Sequence, residues 1–317
     1  ALPLLGIRKF FSEPDKMPER IALLRQKKPL RPKAAWHKSF DIREFSSRGY
    51  PVVTIEPKGP SRAGAPHLLY LHGGGYVMDI AAVHWDTVMD LCQRLGASAT
   101  VPVYPLAPEN KAADVLDKMK ALYSELAERY GAQNITLMGD SAGGGMSLAL
   151  AQNLKADGAD MPASLVLFSP WVDATASGAE EQRAIEKRDR MLAVSGLEAC
   201  GEMYRGDLSL DDPRVSPLFG ELEGLPPMAI FSGSSDILLV DDILDTGRTL
   251  SHAIAHIQAK GARMVQTCAL LDKPARRVVD IQADYVGFTI EDTFVVGYGL
   301  DYESFYRELP YIAQVHT

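Results

Sequence analysis

The stretch "NITLMGDSAGGG", Asn134–Gly145, decides the fold. Its first half is an apolar, β-prone run. Its second half is glycine-rich and leads into an apolar segment with helical character, so the chain reads as a strand, a sharp turn and the start of a helix. Within it, "GDSAGG" (Gly139–Gly144) fits G-x-S-x-G. A serine in this motif sits on a strained strand-to-helix turn, and the flanking glycines let neighbouring chains pass close by. The turn presents the Ser141 hydroxyl at a helix N-terminus, exposed to a substrate.

Working outward, the same alternation repeats on both sides. "HLLYLHGGGY" (His67–Tyr76) is a buried strand ending in glycines, and "DTVMDLCQRLGA" (Asp86–Ala97) is helical and closes on Gly96. "SATVPVYPLAP" (Ser98–Pro108) is a strand broken by prolines. "AADVLDKMKALYSELAERYGA" (Ala112–Ala132) has helical spacing and ends at Gly131. "ASLVLFSPW" (Ala163–Trp171) and "PMAIFSGSSD" (Pro227–Asp236) are two more buried strands. Continuous apolar runs separated by amphipathic helices indicate an α/β fold of three layers, with a mostly parallel sheet covered on both faces. The amides of "HGGGY" (His72–Tyr76) can converge on one point and stabilise an oxyanion. Either glycine motif alone is also compatible with a plain turn; both together, each after a buried strand, point to acyl-transfer chemistry.

The bulk properties narrow the function classes. A chain of 317 residues with net charge −8 lacks the basic footprint of a nucleic-acid binder, although backbone amides can still hold small anions. Cys92, Cys200 and Cys268 lie far apart without metal-ligand spacing, which suggests reduced thiols and a cytoplasmic location. The opening "ALPLLGIRKF" is too short and too soon charged for a signal peptide, and no run reaches the roughly 18 apolar residues of a membrane span.

These residues resemble the hormone-sensitive-lipase-like esterases of the α/β-hydrolase fold. That family carries HGGG (here His72–Gly75), Y-x-L-A-P-E (here "YPLAPE", Tyr104–Glu109) and GDSAGG; "FSPWVD" (Phe168–Asp173) and "FSGSSDIL" (Phe231–Leu238) are also similar to it. The resemblance runs from about residue 40 to about residue 240. It implies an α/β-hydrolase core over 46–236, capped by residues 1–45 and by an insertion at about 175–215. It implies Ser141 as nucleophile, the amides of Gly73, Gly74 and Ala142 as oxyanion donors, Asp236 as triad acid, and no cofactor. Asp236 also suits a helix N-cap.

A triad further needs a histidine to take the serine proton. In this family it follows the next helix and strand, here about Val240–Lys260 and Arg263–Leu271. The loop after them, "DKPARR" (Asp272–Arg277), contains none. His252 and His256 lie i, i+4 on that helix, a spacing compatible with a metal-binding pair and more commonly that of a solvated helix face; His256 falls roughly 22 Å along the axis at 1.5 Å per residue. His72 is committed to its glycine turn and His84 is a cap or packing residue. His37 and His67 lack a supporting motif, and His316 is next to the last residue. Lys273, in the loop itself, normally titrates near 10.4 and needs deep burial to serve as a base.

From Ile237 onward a second pattern overlaps the first. "ILLV" suits a buried strand, and "DDILDTGRT" (Asp241–Thr249) follows it into a helix. Amides at a glycine-containing turn entering a helix form an anion site, and two acids just before it can take ribose hydroxyls, directly or through Mg²⁺. This segment resembles the phosphoribosyl-pyrophosphate motif of type I phosphoribosyltransferases. "LLDKPARR", "DYVGFTI", "FVVGYGLDY" and "YRELPYI" extend the likeness to the C-terminal part of bacterial hypoxanthine phosphoribosyltransferase, over about Ile237–Val315. The resemblance implies Asp241 and Asp242 at the ribose, and Asp245, Thr246, Gly247, Arg248 and Thr249 around a 5′-phosphate. It implies Lys273, Phe294 and Val295 at the purine, Asp301 at Mg²⁺ and Arg307 at pyrophosphate. Phe294 and Val295 are also compatible with strand core, and Lys273 with a solvated loop.

The expectation is therefore a chimera: 1–45 cap segment, 46–236 hydrolase core and 237–317 phosphoribosyltransferase-like segment. Over Ile237–Val240 the hydrolase register expects a turn entering a helix, with Gly247 inside that helix, whereas the transferase register expects a strand. The hydrolase register also expects Arg263–Leu271 as the last strand of its sheet. Three functions follow: a serine carboxylesterase acting on a small ester and short of its base, a module binding a nucleoside 5′-monophosphate or phosphoribosyl pyrophosphate, and a catalytically silent scaffold.

Overall fold

The computed structural model of the chain describes residues 2–59, 64–186, 189, 191–232, 236–259, 264–297, 300, 305–306, 309 and 311–315. By its internal contacts the chain divides into a first unit, Ala1–Phe231, and a second, Ser232–Thr317.

The first unit begins with helices α1 (Leu2–Ser12) and α2 (Met17–Arg25), followed by the hairpin β1 (Phe40–Ser47) and β2 (Tyr50–Pro57). Arg48 and Gly49 both have positive φ, 47° and 87°, as a two-residue turn matched to strand twist requires. Then come β3 (His67–Leu71), α3 (Ala82–Leu95), β4 (Ser98–Pro102), α4 (Ala112–Tyr130), β5 (Ile135–Asp140), α5 (Ala142–Ala156), β6 (Ser164–Phe168), α6 (Ala179–Ile185), α7 (Val194–Arg205) and β7 (Met228–Phe231). The strands form one seven-stranded sheet in the order β1-β2-β4-β3-β5-β6-β7. Only the β1/β2 and β2/β4 pairs are antiparallel. The expected cap segment 1–45 thus divides, with α1 packing against α7 while Phe40 onward enters the sheet, because β1 pairs along its whole length with β2.

The fully buried run "HLLYL" shows why these strands read as continuous apolar stretches. Leu69 and Leu71 join α1, α2, α4, α5 and α7 in one core, while Leu68 and Tyr70 join α3 in another on the opposite face, as period-two alternation dictates. The register runs His67↔Ile135 to Leu71↔Gly139. It brings the glycine loop after β3 alongside the end of β5.

In the second unit β8 (Asp236–Leu244), β9 (Met264–Asp272) and β10 (Tyr285–Thr289) form a parallel sheet in the order β10-β9-β8, with α8 (Arg248–Ala259) between β8 and β9 in the chain. β11 (Phe294–Val296) and β12 (Ala313–Val315) make a separate antiparallel pair. Two expectations of the hydrolase register are corrected here. No helix starts at Val240: Asp236–Leu244 is extended and pairs with Met264–Asp272, and Gly247, at φ +81°, lies in the turn rather than inside a helix. The strand expected to close the hydrolase sheet is instead the centre of this second sheet. The aliphatic run "ILLV" gains a continuous parallel partner, which outweighs its fair helical spacing.

Candidate active site and phosphate loop

The nucleophile turn in the first unit is built as its glycines require. β5 ends at Asp140, Ser141 takes φ 49° and ψ −119°, and α5 starts at Ala142. Such a conformation costs a non-glycine residue of order 1–3 kcal/mol and persists only where its surroundings fix it. Here the Ser141 N–H donates to Phe168 O at 2.9 Å, and its carbonyl accepts from Gly145 N–H (3.0 Å) and Trp171 N–H (2.8 Å). A Cβ on Gly143 would lie 2.0 Å from Leu71 O, so only glycine lets α5 start against the end of β3. Ser141 is half-buried, and no described group is hydrogen-bonded to its hydroxyl.

The loop after β3 corrects one expected oxyanion donor. The Gly73 N–H donates to Asp140 Oδ1 at 2.9 Å and is not available to a substrate. Tyr70 donates its hydroxyl to the same oxygen at 2.7 Å, and His84 Nε2 faces Oδ2 at 3.4 Å. Burial acts to raise the Asp140 carboxyl, but the bonds from His84, Tyr70 and Gly73 prevail and hold it below the usual carboxylate range. Asp140 therefore clips the glycine loop to the nucleophile turn. This role is carried by the variable position of G-x-S-x-G, and the motif alone gives no sign of it. The N–H groups of Gly74, Gly75 and Ala142 donate to no described protein group; of these Gly74 and Ala142 were expected as donors and Gly75 was not.

The histidines have other duties. His72 is fully buried; its Nδ1 bonds Gly73 O at 2.7 Å and its ring stacks on Tyr104 at 4.2 Å. Burial lowers its pKa to about 4, so it is neutral. His84 Nδ1 accepts the Ala81 N–H at 2.9 Å, which leaves the proton on Nε2 toward Asp140 and makes it the cap it was read to be. His67 lies at the start of β3, at the opposite end of the strand from the glycine loop, between Ser98 and Thr100. His37, His252 and His256 are exposed. Among the described residues, no histidine is hydrogen-bonded to Ser141.

Asp236 heads β8, not a turn entering a helix. Its side chain lies outside the described residues, as do Asp301, Arg307 and His316. In the second unit, Asp241 is half-buried and Asp242 exposed. Burial, then the neighbouring Asp242, raises the Asp241 carboxyl above its ordinary range. The turn Asp245–Gly247 leads into α8, where Arg248 and Thr249 are exposed. The N–H groups of Thr246, Gly247 and Thr249 donate to no described protein group. Asp245 Oδ1 faces Arg276 Nε at 3.5 Å. Lys273 is buried, its ammonium 3.9 Å from Asp292. Phe294 is exposed at the start of β11, and Val295 beside it is half-buried. Among the described residues no helix is long and apolar enough to cross a membrane.

A strand-turn-helix serine beside a glycine loop, on a mostly parallel sheet, defines an α/β hydrolase. A family model for the α/β-hydrolase fold matches residues 68–263. A triacylglycerol lipase of Mycobacterium tuberculosis is 34% identical over 191 residues, 60% of this chain and 38% of that protein. The chain spans 38% to 64% of the length of such curated hydrolase relatives. The crystal structure of the HSL homologue EstE7, from a metagenome library, superposes with a TM-score of 0.58 at 30% identity, covering 81% of this chain and 82% of that one. A different segment matches the hypoxanthine-guanine phosphoribosyltransferase of Staphylococcus epidermidis, 40% identical over 139 residues, 39% of this chain and 78% of that protein. The chain belongs to the α/β-hydrolase-fold family and, through that separate segment, to the hypoxanthine-guanine phosphoribosyltransferases: it is a chimera of the two.

Proposed function

We propose that the first unit is a carboxylic-ester hydrolase of the hormone-sensitive-lipase-like type, acting on short-chain or small aryl esters. The Ser141 hydroxyl attacks the ester carbonyl, and the Gly74 and Ala142 amides take the charge that develops on its oxygen. The alcohol leaves, and water then cleaves the acyl-serine. The observation that carries this reading is the strained Ser141 turn at the start of α5, with unpaired amides in its own loop and in the glycine loop. No described imidazole bonds the hydroxyl, so the serine proton passes to solvent and turnover is slow. Loss of a triad member costs roughly 10⁴–10⁶ in turnover. Labelling by a fluorophosphonate, located by mass spectrometry, tests the nucleophile: the adduct is expected on Ser141, and labelling unchanged in Ser141→Ala would refute it. The free thiols of Cys92, Cys200 and Cys268 support a cytoplasmic location.

A second reading is favoured by the Gly247 turn, which leaves several amides unpaired at the start of α8. The second unit binds a nucleoside 5′-monophosphate or phosphoribosyl pyrophosphate there, with the phosphate on Asp245–Thr249, the ribose at Asp241 and Asp242, and the base near Lys273, Phe294 and Val295. Mg²⁺ suits this chemistry. The raised Asp241 carboxyl beside Asp242 favours a nearby cation, and Mg²⁺ commonly takes one or two carboxylates plus ligand oxygens. Asp241 or Asp242 would hold it, with Asp301 by its place in the sequence, and it would neutralise phosphate charge. Calorimetric titration with guanosine 5′-monophosphate and Mg²⁺ tests this reading, with Thr249→Ala expected to abolish the heat of binding. Silence in both assays leaves a scaffold without catalysis.

A further inference from the structure

The segment after β9 folds back beneath the loop between β8 and α8, and Arg277 is at its centre. Its Nε donates to Asp245 O at 3.0 Å and its Nη2 to Leu244 O at 3.2 Å. The same guanidinium donates to Ile281 O and pairs with the Asp272 carboxylate. The backbone beside it continues the pattern: Val278 and Val279 N–H donate to Thr246 O at 3.0 and 3.2 Å, and Lys273 N–H to Leu244 O at 3.0 Å. A Cβ on Gly247 would lie 3.0 Å from Arg277 Cδ and 2.5 Å from Ile281 Cγ2. The underside of the loop is closed.

A peptide group is planar and trans, so a carbonyl held in one direction sends the next residue's N–H the opposite way. Arg277 holds the carbonyl of Asp245, which turns the Thr246 N–H away from it. The Val278 and Val279 amides hold the carbonyl of Thr246, which does the same for Gly247. These are the N–H groups that meet no described acceptor. Arginine suits the task because its planar fork carries five donors, which the single ammonium of lysine cannot reproduce.

We infer that Arg277 is a positioning residue for the phosphate loop: by holding its carbonyls from below, it aims the loop amides at an anion that it does not itself touch. This rests on the second reading above, in which that loop takes a 5′-phosphate. The test is titration of the full chain and its variants with guanosine 5′-monophosphate and Mg²⁺, together with backbone hydrogen exchange. Arg277→Lys is expected to weaken binding at least tenfold and to speed exchange across residues 246–250, with exchange in β9 unchanged. Thr249→Ala is expected to abolish binding without speeding that exchange. Asp272→Asn, which removes only the charge paired with Arg277, is expected to give a smaller loss of about threefold, and it carries the test if Arg277→Lys does not fold. Wild-type protein that binds, with both Arg277→Lys and Asp272→Asn binding as tightly, overturns the inference and leaves the reading intact. Wild-type protein that does not bind overturns the reading, and the inference with it.

Discussion

Replacing His67 by glutamine should flatten the acid sensitivity of the first unit. His67 is buried between Ser98 and Thr100 and stacks on Tyr130 at 3.8 Å. Burial, then the nearby Arg129, lowers its pKa to about 3, while in an unfolded chain histidine titrates near 6.5. Between those values the unfolded state takes up a proton that the folded state refuses. Stability is therefore full above pH 6.5 and falls as the pH drops toward 3. At pH 5 the gap is about 1.5 units, worth about 2 kcal/mol. His72, with a pKa lowered to about 4 by burial, adds a similar amount, so the wild type loses about 4 kcal/mol between pH 7 and pH 5 and His67→Gln about 2 kcal/mol. The assay is guanidinium unfolding followed by tryptophan fluorescence. Trp36, Trp85 and Trp171 are the whole set and all lie in the first unit, so the signal reports that unit alone. A pH 7-to-5 loss as large in His67→Gln as in the wild type refutes the reasoning, as does a wild type equally stable at both values.

Two further perturbations probe the nucleophile turn. Gly143→Ala sets a Cβ 2.0 Å from Leu71 O and 2.5 Å from His72 O, backbone atoms that cannot yield cheaply. A loss of roughly 3 kcal/mol or more is expected in the same fluorescence assay. Asp140→Ala frees the Gly73 peptide from the turn, and fluorophosphonate labelling of Ser141 is expected to slow about tenfold, less than the 10²–10³ loss of a whole oxyanion donor; Asp140→Asn, which keeps an acceptor oxygen, should retain most of the rate.

The strands from His67 to Phe168 were legible because they are largely buried, which writes near-continuous apolar runs into the sequence; Met228–Phe231 carries such a run too, yet the structure leaves it largely exposed rather than buried as expected. The nucleophile turn was legible because only glycine permits its close approaches. What the sequence left open depends on partners distant in the chain. The Gly73 amide reads as an oxyanion donor until Asp140, brought up by the end of β5, is seen to take it. "DILLVDDIL" carries both helical and strand character, and the choice falls to the strand only through its pairing with Met264–Asp272. The hairpin Phe40–Pro57 was missed because its outer strand is largely exposed and carries little apolar pattern.

The central proposal, a hydrolase nucleophile at Ser141 with no histidine bonded to it among the described residues, is tested most directly by p-nitrophenyl butyrate turnover in the full chain beside Ser141→Ala. A typical enzyme turns over near 10 s⁻¹. Reduced by 10⁴–10⁶, the expected rate is about 10⁻³–10⁻⁵ s⁻¹, lost in Ser141→Ala. Turnover near 10 s⁻¹ that vanishes in Ser141→Ala would contradict the missing base, and a slow rate unchanged by the substitution would contradict Ser141 itself.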